Sequence, residues 1–249
     1  MIGRFVAYGQ IYEGKFEIKK DKVIFDSLEF PVSAVKFLPP VKPSKIIAVG
    51  LNYIDHAEEL GLPVPEEPII FLKPPSAIVG DGDPIVLPNA SKRVDYEGEL
   101  AVVIGRRCKN VSREDAPEYI MGFTCFNDVT ARDLQAKDVQ WTRAKSFDTF
   151  APLGPYVAEI KDFSKLKIET RVNGEVRQRS NTSNMIFDVS ALIEFISSIM
   201  TLEANDVIAT GTPAGVGMLK KGDLVEVEIE KIGILKNRVI GSPDFKCEC

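Results

Sequence analysis

Histidine is nearly absent from this sequence: one residue in 249, His56. The scarcity excludes zinc and iron centres built on several histidines, including the non-haem iron site that needs two of them. It also means that any mechanism with an imidazole as general base must use His56.

Cysteine, clustered basic residues and long apolar runs are scarce as well. Of four cysteines, Cys125 lies in an apolar stretch and is interpreted as a core residue, while Cys247 and Cys249 lack the further ligands of a zinc site and are interpreted as a mobile tail. No apolar run reaches membrane-spanning length, and residues 1–5 lack a signal-peptide core. With a net charge of -5, we expect a cytoplasmic protein with no nucleic-acid or membrane partner.

The chain has the composition of an ordinary globular protein, with 45% hydrophobic and 27% charged residues. Residues 3–36 alternate apolar and polar in short bursts, which predicts a small all-β unit. Three prolines within residues 39–43 then form a stiff connector. We therefore predict a small N-terminal β domain and linker over 1–43 and a main domain over 44–249.

Strand signals outnumber helix signals in the main domain. Strands are predicted near 69–72, 84–87, 100–104 and 122–128, with further β structure over 206–241, and Asn173-Gly174 is a strong hairpin signal. Helices are predicted over 52–60, ending at Gly61, over 188–200, and from Thr130 onward with Asp133 as a capping partner. The pattern predicts a mainly β fold with some α.

Two glutamates one residue apart, Glu97 and Glu99, lead directly into the apolar run Leu100–Ile104. Side chains at i and i+2 of a strand share a face, so both carboxylates would converge at the start of a buried strand. The pair alone is more often a solvated strand face than a buried site, as the alternation of Glu226 and Glu228 with valines illustrates.

A third carboxylate, Asp128, ends another apolar stretch, Phe123–Val129. Three carboxylates at strand ends would need a counter-charge, which a hard cation can provide. Oxygen donors of this kind suit Mg²⁺ or Mn²⁺, with water or substrate completing the octahedron.

Two pairs of polar residues stand at helical i, i+3 spacing. His56 and Glu59 would share a helix face, where a carboxylate bound to one ring nitrogen raises the basicity of the other. Arg132 and Gln135 would share another face, from which Arg132 could clamp a carboxylate. Each of these is also compatible with an exposed helix surface.

Two further segments are polar or rich in glycine. Lys145 lies among polar loop residues and is a surface group unless a cation site lies nearby, where it would face a developing oxyanion. The run Gly211–Gly217 has neither dinucleotide-fingerprint nor P-loop spacing, and forms either a tight turn or a loop that presents Thr212 to a substrate.

Together these segments resemble the fumarylacetoacetate hydrolase (FAH) superfamily, and in particular its acylpyruvate hydrolase and 2-hydroxyhepta-2,4-diene-1,7-dioate isomerase group. The resemblance covers residues 45–241 and rests on these segments: 50–53 with His56, 71–74, 95–100, 126–133, 145–148 and 211–217. It implies an FAH-type mixed β-sandwich roll with a small N-terminal β domain.

The resemblance also implies roles for individual residues. Glu97, Glu99 and Asp128 would bind Mg²⁺ or Mn²⁺. His56 and Glu59 match the dyad of the hydrolytic and decarboxylating members, and the remaining site residues are Lys145, Arg132, Gln135 and Thr212.

The implied activity is metal-dependent cleavage of a C–C bond in 2,4-dioxo acids, of the acylpyruvate hydrolase type, through an enolate held by the metal. An isomerase or decarboxylase acting on 2-hydroxyhepta-2,4-diene-1,7-dioate or oxaloacetate-type acids would use the same intermediate. A non-catalytic, metal-dependent dicarboxylate-binding protein is a third alternative. The expected partners are a small 2-oxo or dioxo acid and a second copy of the chain in a homodimer.

Overall fold

A computed structural model describes residues 1–242 of the protein. The strands are β1 Ile2–Ala7, β2 Gln10–Lys15, β3 Glu17–Lys19, β4 Lys22–Phe25, β5 Leu28–Pro31, β6 Val35–Leu38, β7 Ile46–Gly50, β8 Ile69–Lys73, β9 Ile78–Val79, β10 Ile85–Leu87, β11 Val94–Tyr96, β12 Gly98–Ile104, β13 Ile120–Asn127, β14 Thr130–Ala131, β15 Ala151–Ala158, β16 Lys167–Val172, β17 Glu175–Asn181, β18 Val207–Ala209, β19 Gly217–Met218, β20 Leu224–Ile229 and β21 Gly233–Gly241. The α-helices are α1 Ile54–Leu60, α2 Arg132–Lys137, α3 Thr142–Lys145 and α4 Val189–Ile199, and short 3₁₀ turns span Val32–Ala34, Pro75–Ala77, Ala116–Tyr119 and Thr182–Asn184. The predicted mainly β, FAH-type fold class is confirmed.

Two large sheets dominate the architecture. The first has ten strands, in the order β2-β1-β15-β13-β12-β18-β7-β8, with β6 paired to β1 and β9 paired to β15. The second has five strands, in the order β10-β21-β20-β16-β17. Two smaller three-stranded sheets are β14-β11-β19 and β3-β4-β5.

Strand β12 lies near the centre of the ten-stranded sheet and is buried over its whole length. Leu100 and Val102 belong to a hydrophobic cluster that also contains residues of β16, β20, β21 and α4. Ala101 and Val103, one step along the strand, belong to a different cluster on the other face. This two-sided burial explains why residues 100–104 form a continuous apolar run rather than an alternating one.

The N-terminal segment has an aromatic cluster of its own, built around Phe5, Phe16 and Phe30. Its first strand is nevertheless shared with the large sheet, because Ile2 of β1 pairs with Val157 of β15. Tyr156 of β15 also packs against the aromatic cluster. The domain boundary at residue 43 stays a prediction, and Cys247 and Cys249 lie outside the described residues.

Several local predictions are confirmed by the backbone. Helix α1 ends at Gly61, whose φ of 62° is left-handed. Asn173 and Gly174 join β16 to β17 with φ values of 55° and 81°, as a type I′ hairpin requires. Helix α4 begins after Asp188, whose side chain accepts a hydrogen bond from the Ala191 amide at 2.9 Å.

The predicted helix start at Thr130 is wrong by two residues. Thr130 and Ala131 pair with β11 as strand β14, and α2 begins at Arg132. Asp133 lies in the first turn of α2 and accepts a hydrogen bond from the Lys92 amide at 2.9 Å, while the Thr130 hydroxyl bonds to the Asp128 carbonyl. Within residues 1–242, no helix is both long enough and apolar enough to cross a membrane.

Candidate active site

The candidate site lies at the ends of neighbouring strands in the ten-stranded sheet, where β7, β18 and β13 end and β12 begins. Strands β7 and β18 are parallel, with Ala48 opposite Ala209, so their carboxyl ends lie together. Strand β12 runs antiparallel to both β18 and β13, which places Gly98 opposite Asn127. The start of β12 therefore meets three strand ends.

Glu97 lies in a break between β11 and β12 rather than inside one strand. Two hydrogen bonds fix this break: the Glu97 amide donates to Asn127 Oδ1 at 2.9 Å, and the Asp128 amide donates to the Glu97 carbonyl at 2.8 Å. These bonds hold the backbone of two predicted metal ligands together.

Glu97, Glu99 and Asp128 converge as the sequence predicts. One carboxylate oxygen from each lies within 4.8 Å of the others, and all three side chains are buried. Within residues 1–242 this is the one such group of three or more potential ligands. The structure thus places the three residues in one cluster, while their role as ligands stays a prediction.

The three carboxylates differ in their charge environment. Burial and the neighbouring charges of Asp128 and Glu97 raise the pKa of Glu99 well above its usual value. Burial also opposes ionisation of Glu97, but Lys145 and Arg132 outweigh it and lower the pKa of Glu97 to about 2. The site therefore contains Glu99, which has no ion-pair partner, beside Glu97, which is ionised at neutral pH.

Two buried lysines contact the cluster. Lys145 Nζ lies 2.9 Å from Glu97 Oε2 and 2.6 Å from Asp128 Oδ2, so this lysine is a buried residue at the end of α3 and not a loop residue. Lys73 forms an ion pair with Asp128 Oδ1 and donates to the Val129 carbonyl at 3.1 Å. The sequence analysis used Lys73 only as part of a motif, although a lysine ending an apolar strand was a signal that it is buried and paired.

Arg132 is positioned by groups on three sides. Its Nη1 donates to Gln135 Oε1 at 2.7 Å, so the two residues share a helix face as their spacing predicts, and its guanidinium also pairs with Glu97. Its Nε donates to Asp95 Oδ2 at 3.0 Å. Asp95 is fully buried and also binds Arg93, a positioning role that the sequence analysis missed.

His56 and Glu59 meet on α1 as the spacing predicts. His56 Nδ1 lies 3.0 Å from Glu59 Oε2, and His56 is largely buried. The second oxygen of Glu59, Oε1, accepts a hydrogen bond from the Gly215 amide at 3.0 Å. Glu59 therefore connects the histidine to the 211–217 loop.

The 211–217 loop contacts the acidic cluster through its backbone. The Gly211 amide donates to Glu99 Oε2 at 2.8 Å, with Gly211 at a φ of 95° and too close to Asn52 for a side chain. Thr212 Oγ1 donates to the Gly98 carbonyl at 3.0 Å and accepts from Gln178 Nε2 at 2.8 Å. Thr212 is thus held by β12 and by Gln178, a residue that the sequence analysis did not identify.

All nine predicted site residues are near one cavity of about 310 Å³, and eight line it, Glu59 being the exception. The lining residues are Val49, Gly50, Leu51, His56, Leu60, Leu62, Ile69, Phe71, Glu97, Glu99, Asp128, Arg132, Gln135, Trp141, Lys145 and Thr212. A cavity of this size with convergent polar groups is typical of a small-molecule site.

The donor set fits a divalent cation that prefers oxygen ligands. It consists of three buried carboxylates and includes no sulfur or imidazole ligand among residues 1–242. Glu99 forms no ion pair with any described side chain, so its ionised form would lack a direct partner. A buried carboxylate without a counter-ion is costly, and a cation at this position would remove that cost.

Comparison with known proteins indicates the same family as the sequence motifs do, over most of the chain. The family model described as fumarylacetoacetate (FAA) hydrolase C-terminal matches residues 45–240. An uncharacterized protein of Archaeoglobus fulgidus is 70% identical over the full length of both chains. The mitochondrial oxaloacetate tautomerase FAHD2A of Bos taurus is 50% identical, over 84% of this chain and 71% of its own.

Solved structures also match nearly the whole chain. The 5-carboxymethyl-2-hydroxymuconate delta-isomerase of Mycobacterium smegmatis is 46% identical with a TM-score of 0.91, covering 98% of this chain and 99% of its own. The maleylpyruvate hydrolase of Sphingobium sp. SYK-6, in complex with manganese and pyruvate, is 28% identical with a TM-score of 0.82, covering 97% and 99%. The protein belongs to the fumarylacetoacetate hydrolase family.

Proposed function

We propose that the protein is a divalent-metal-dependent enzyme that hydrolyses a C–C bond in 2,4-dioxo acids of the acylpyruvate type. The observation that carries the proposal is one cavity lined by both the buried Glu97, Glu99 and Asp128 cluster and by His56, which Glu59 orients. Hydrolytic relatives in the family, such as maleylpyruvate hydrolase, support the reaction class.

Glu97, Glu99 and Asp128 would hold the cation, Mg²⁺ or Mn²⁺. When bound there, it would supply a Lewis acid that polarises the 2-oxo group of the substrate. The manganese and pyruvate in the maleylpyruvate hydrolase structure support this choice of metal and of substrate headgroup.

Arg132 and Gln135 would bind the substrate carboxylate. Their side chains already form a hydrogen bond of 2.7 Å, and Arg132 Nε donates a second hydrogen bond to Asp95, which restrains the guanidinium. A held guanidinium loses less conformational entropy when a carboxylate binds. Thr212, fixed by Gly98 and Gln178, would limit the positions that the headgroup can take.

His56 would activate the water that attacks the C4 carbonyl. Its Nδ1 contacts Glu59, which selects the tautomer with the proton on Nδ1 and leaves Nε2 free to accept a proton from water. Breaking the C3–C4 bond then releases a carboxylic acid and the enolate of a 2-oxo acid. Lys145, a buried cation within the acidic cluster, would stabilise the negative charge of that enolate.

An isomerase or decarboxylase is the second candidate function. Two relatives favour it by their names, an oxaloacetate tautomerase and a 5-carboxymethyl-2-hydroxymuconate delta-isomerase. These reactions need the same headgroup site but no water attack, so they differ from hydrolysis in that His56 would not have to activate water.

Direct turnover measurements on a substrate panel test the proposal. The panel contains acylpyruvates, oxaloacetate and 2-hydroxydienoates, each assayed with Mg²⁺ and with Mn²⁺. Hydrolysis of an acylpyruvate to pyruvate and a carboxylic acid supports the first function. Turnover of only the other two classes would favour the second, and binding with no turnover of any would indicate a dicarboxylate-binding protein.

A further inference from the structure

Part of the cavity wall, starting beside the acidic cluster, is apolar. We call it the apolar wall; it consists of Leu60, Leu62, Ile69, Phe71 and Trp141. These residues come from the end of α1 and the segment after it, from β8 and from the residue preceding α3. Phe71 and Trp141 contact each other edge to face, with ring centroids 5.3 Å apart.

The apolar wall is not simply part of the hydrophobic core. Leu60 and Leu62 are each 50% exposed, and Ile69 is 45% exposed. Apolar side chains at a cavity mouth gain free energy when a ligand removes them from water, at roughly 25 cal/mol per Å². Such a surface beside a polar cluster is typical of a site for an amphipathic ligand.

The apolar wall begins beside the acidic cluster. Lys145 Nζ lies 4.8 Å from the centroid of the Phe71 ring, so one residue of the wall directly adjoins the cation proposed to stabilise the enolate. A substrate whose headgroup contacts Lys145 would therefore extend its remaining carbon atoms along Phe71.

The positive charges of the cavity lie at the acidic cluster, and of the apolar wall Phe71 adjoins one of them. Among the described lining residues the Lys and Arg side chains are Lys145 and Arg132, and both already pair with Glu97. A second substrate carboxylate placed on the apolar wall would lose water and find no cation there. Desolvating an unpaired carboxylate is unfavourable.

We infer that the enzyme selects substrates with one 2-oxo acid headgroup and an uncharged apolar tail, and discriminates against 2-oxo dicarboxylates of the same length. The inference rests on the proposed function for the headgroup site. The specificity comes from the apolar wall, which binds the tail and has no group to bind a second carboxylate.

Trp141 provides a direct measurement of tail binding, because it is the single tryptophan of the chain. With Mn²⁺ or Mg²⁺ present, intrinsic fluorescence and calorimetry would compare pyruvate, 2-oxohexanoate and 2-oxoadipate. The last two have the same length and differ in a terminal methyl or carboxylate. We expect 2-oxohexanoate to bind about tenfold or more tighter than pyruvate, since each buried methylene is worth roughly fourfold in Kd. We expect 2-oxoadipate to bind no tighter than pyruvate.

A matched pair of variants tests the role of the apolar wall. Ile69→Lys places a cation on the wall and should improve the binding of 2-oxoadipate relative to 2-oxohexanoate by about tenfold or more. Leu72→Lys is the control, because Leu72 lies on the same strand, is 49% exposed, and does not line the cavity. It should keep the wild-type order of affinities.

Two results would overturn the inference while leaving the proposed function intact. One is wild-type binding of 2-oxoadipate as tight as that of 2-oxohexanoate, and the other is an equal effect of Ile69→Lys and Leu72→Lys. If pyruvate and both longer acids fail to bind in the presence of metal, the headgroup site and the proposed function are overturned as well.

Discussion

Glu99 is a buried acid held by a backbone amide. It accepts a hydrogen bond from Gly211, and burial together with the charges of Asp128 and Glu97 raises its pKa. Because its charged form is disfavoured in the folded protein, an ionised Glu99 costs stability at neutral pH unless a cation is bound.

Glu99→Gln should weaken metal binding without lowering the stability of the metal-free protein. The glutamine can still accept the Gly211 hydrogen bond, so without metal the variant should melt at the same temperature as the wild type or higher. Its affinity for Mn²⁺ by calorimetry should fall by about tenfold or more, and turnover should be lost. The control is Glu114→Gln, the same change at an exposed glutamate that does not line the cavity. Unchanged Mn²⁺ affinity in Glu99→Gln would show that Glu99 is not a ligand.

His56→Ala should lower hydrolytic turnover strongly while leaving metal and ligand binding nearly unchanged. Metal and a 2-oxo acid analogue such as oxalate should bind nearly as before, while hydrolytic turnover drops by roughly 10²–10⁴-fold, the usual contribution of general acid–base catalysis.

Glu59→Gln should act in the same direction as His56→Ala but more weakly, because Glu59 orients the imidazole and does not contact the water. Full hydrolytic turnover of His56→Ala would contradict the assignment of His56 as the general base.

At the level of elements, the start of β12 depends on a glycine that faces β16. A Cβ built on Gly98 would lie 2.0 Å from Thr170 Oγ1 and 3.3 Å from Gln178 Oε1. Contacts that short require the strands to separate. The close approach of β12 and β16 also keeps Gln178 in position for its bond with the Gly98 amide at 3.0 Å.

Gly98→Val should therefore destabilise the fold more than it weakens metal binding. We expect a loss of about 1–3 kcal/mol in the free energy of unfolding, measured by urea denaturation. Gly241→Val is the matched control, since a Cβ at this strand glycine comes no closer than 3.6 Å to Lys221. Equal midpoints for Gly98→Val and the wild type would contradict the close packing of β12 on β16.

The start of β7 and the turn before β18 are joined by Asp206. Its Oδ1 accepts hydrogen bonds from Ser44 Oγ at 2.6 Å and from the Ser44 amide at 3.0 Å, and Oδ2 accepts from the Glu203 amide at 2.8 Å and pairs with Lys45. Burial opposes ionisation of Asp206, but these bonds outweigh it and lower its pKa.

Asp206→Asn should cost stability in a pH-dependent way. Because the folded pKa is lower than the unfolded value of about 3.9, the stabilisation is complete above that value and is lost as the pH falls below it. At pH 7 we expect a loss of about 1.5–3 kcal/mol, typical of charged hydrogen bonds. Urea denaturation of wild type and variant from pH 7 to pH 3 checks this, and a constant difference over that range would contradict it.

For the whole molecule, we predict a homodimer. The prediction rests on the family resemblance and on a main domain rich in apolar strands. Light scattering at micromolar concentration should give about twice the chain mass, and a mass of one chain would overturn the prediction.

The amino-acid sequence was sufficient to predict those strands, helices and side-chain contacts that depend on patterns over a few neighbouring residues. The apolar run 100–104 predicted a strand buried on both faces, which β12 is, and the i, i+3 spacings predicted the contacts His56–Glu59 and Arg132–Gln135. Such predictions succeed because strand and helix periodicity act over a few residues. The start of α2 failed for the converse reason, since pairing with β11 overrode a local capping pattern.

The groups that position the site residues are distant from them in the sequence, and these partners could be identified from the tertiary structure alone. Gly211 bonds to Glu99 across 112 residues, Lys73 reaches Asp128 across 55, and Asp95 fixes Arg132 across 37. No periodicity links such partners, because the sheet order and its register bring them together. The presence of an acidic cluster and an apolar wall in one cavity has the same origin, since α1, β8 and α3 are separated in the sequence and contribute to one cavity only in the folded chain.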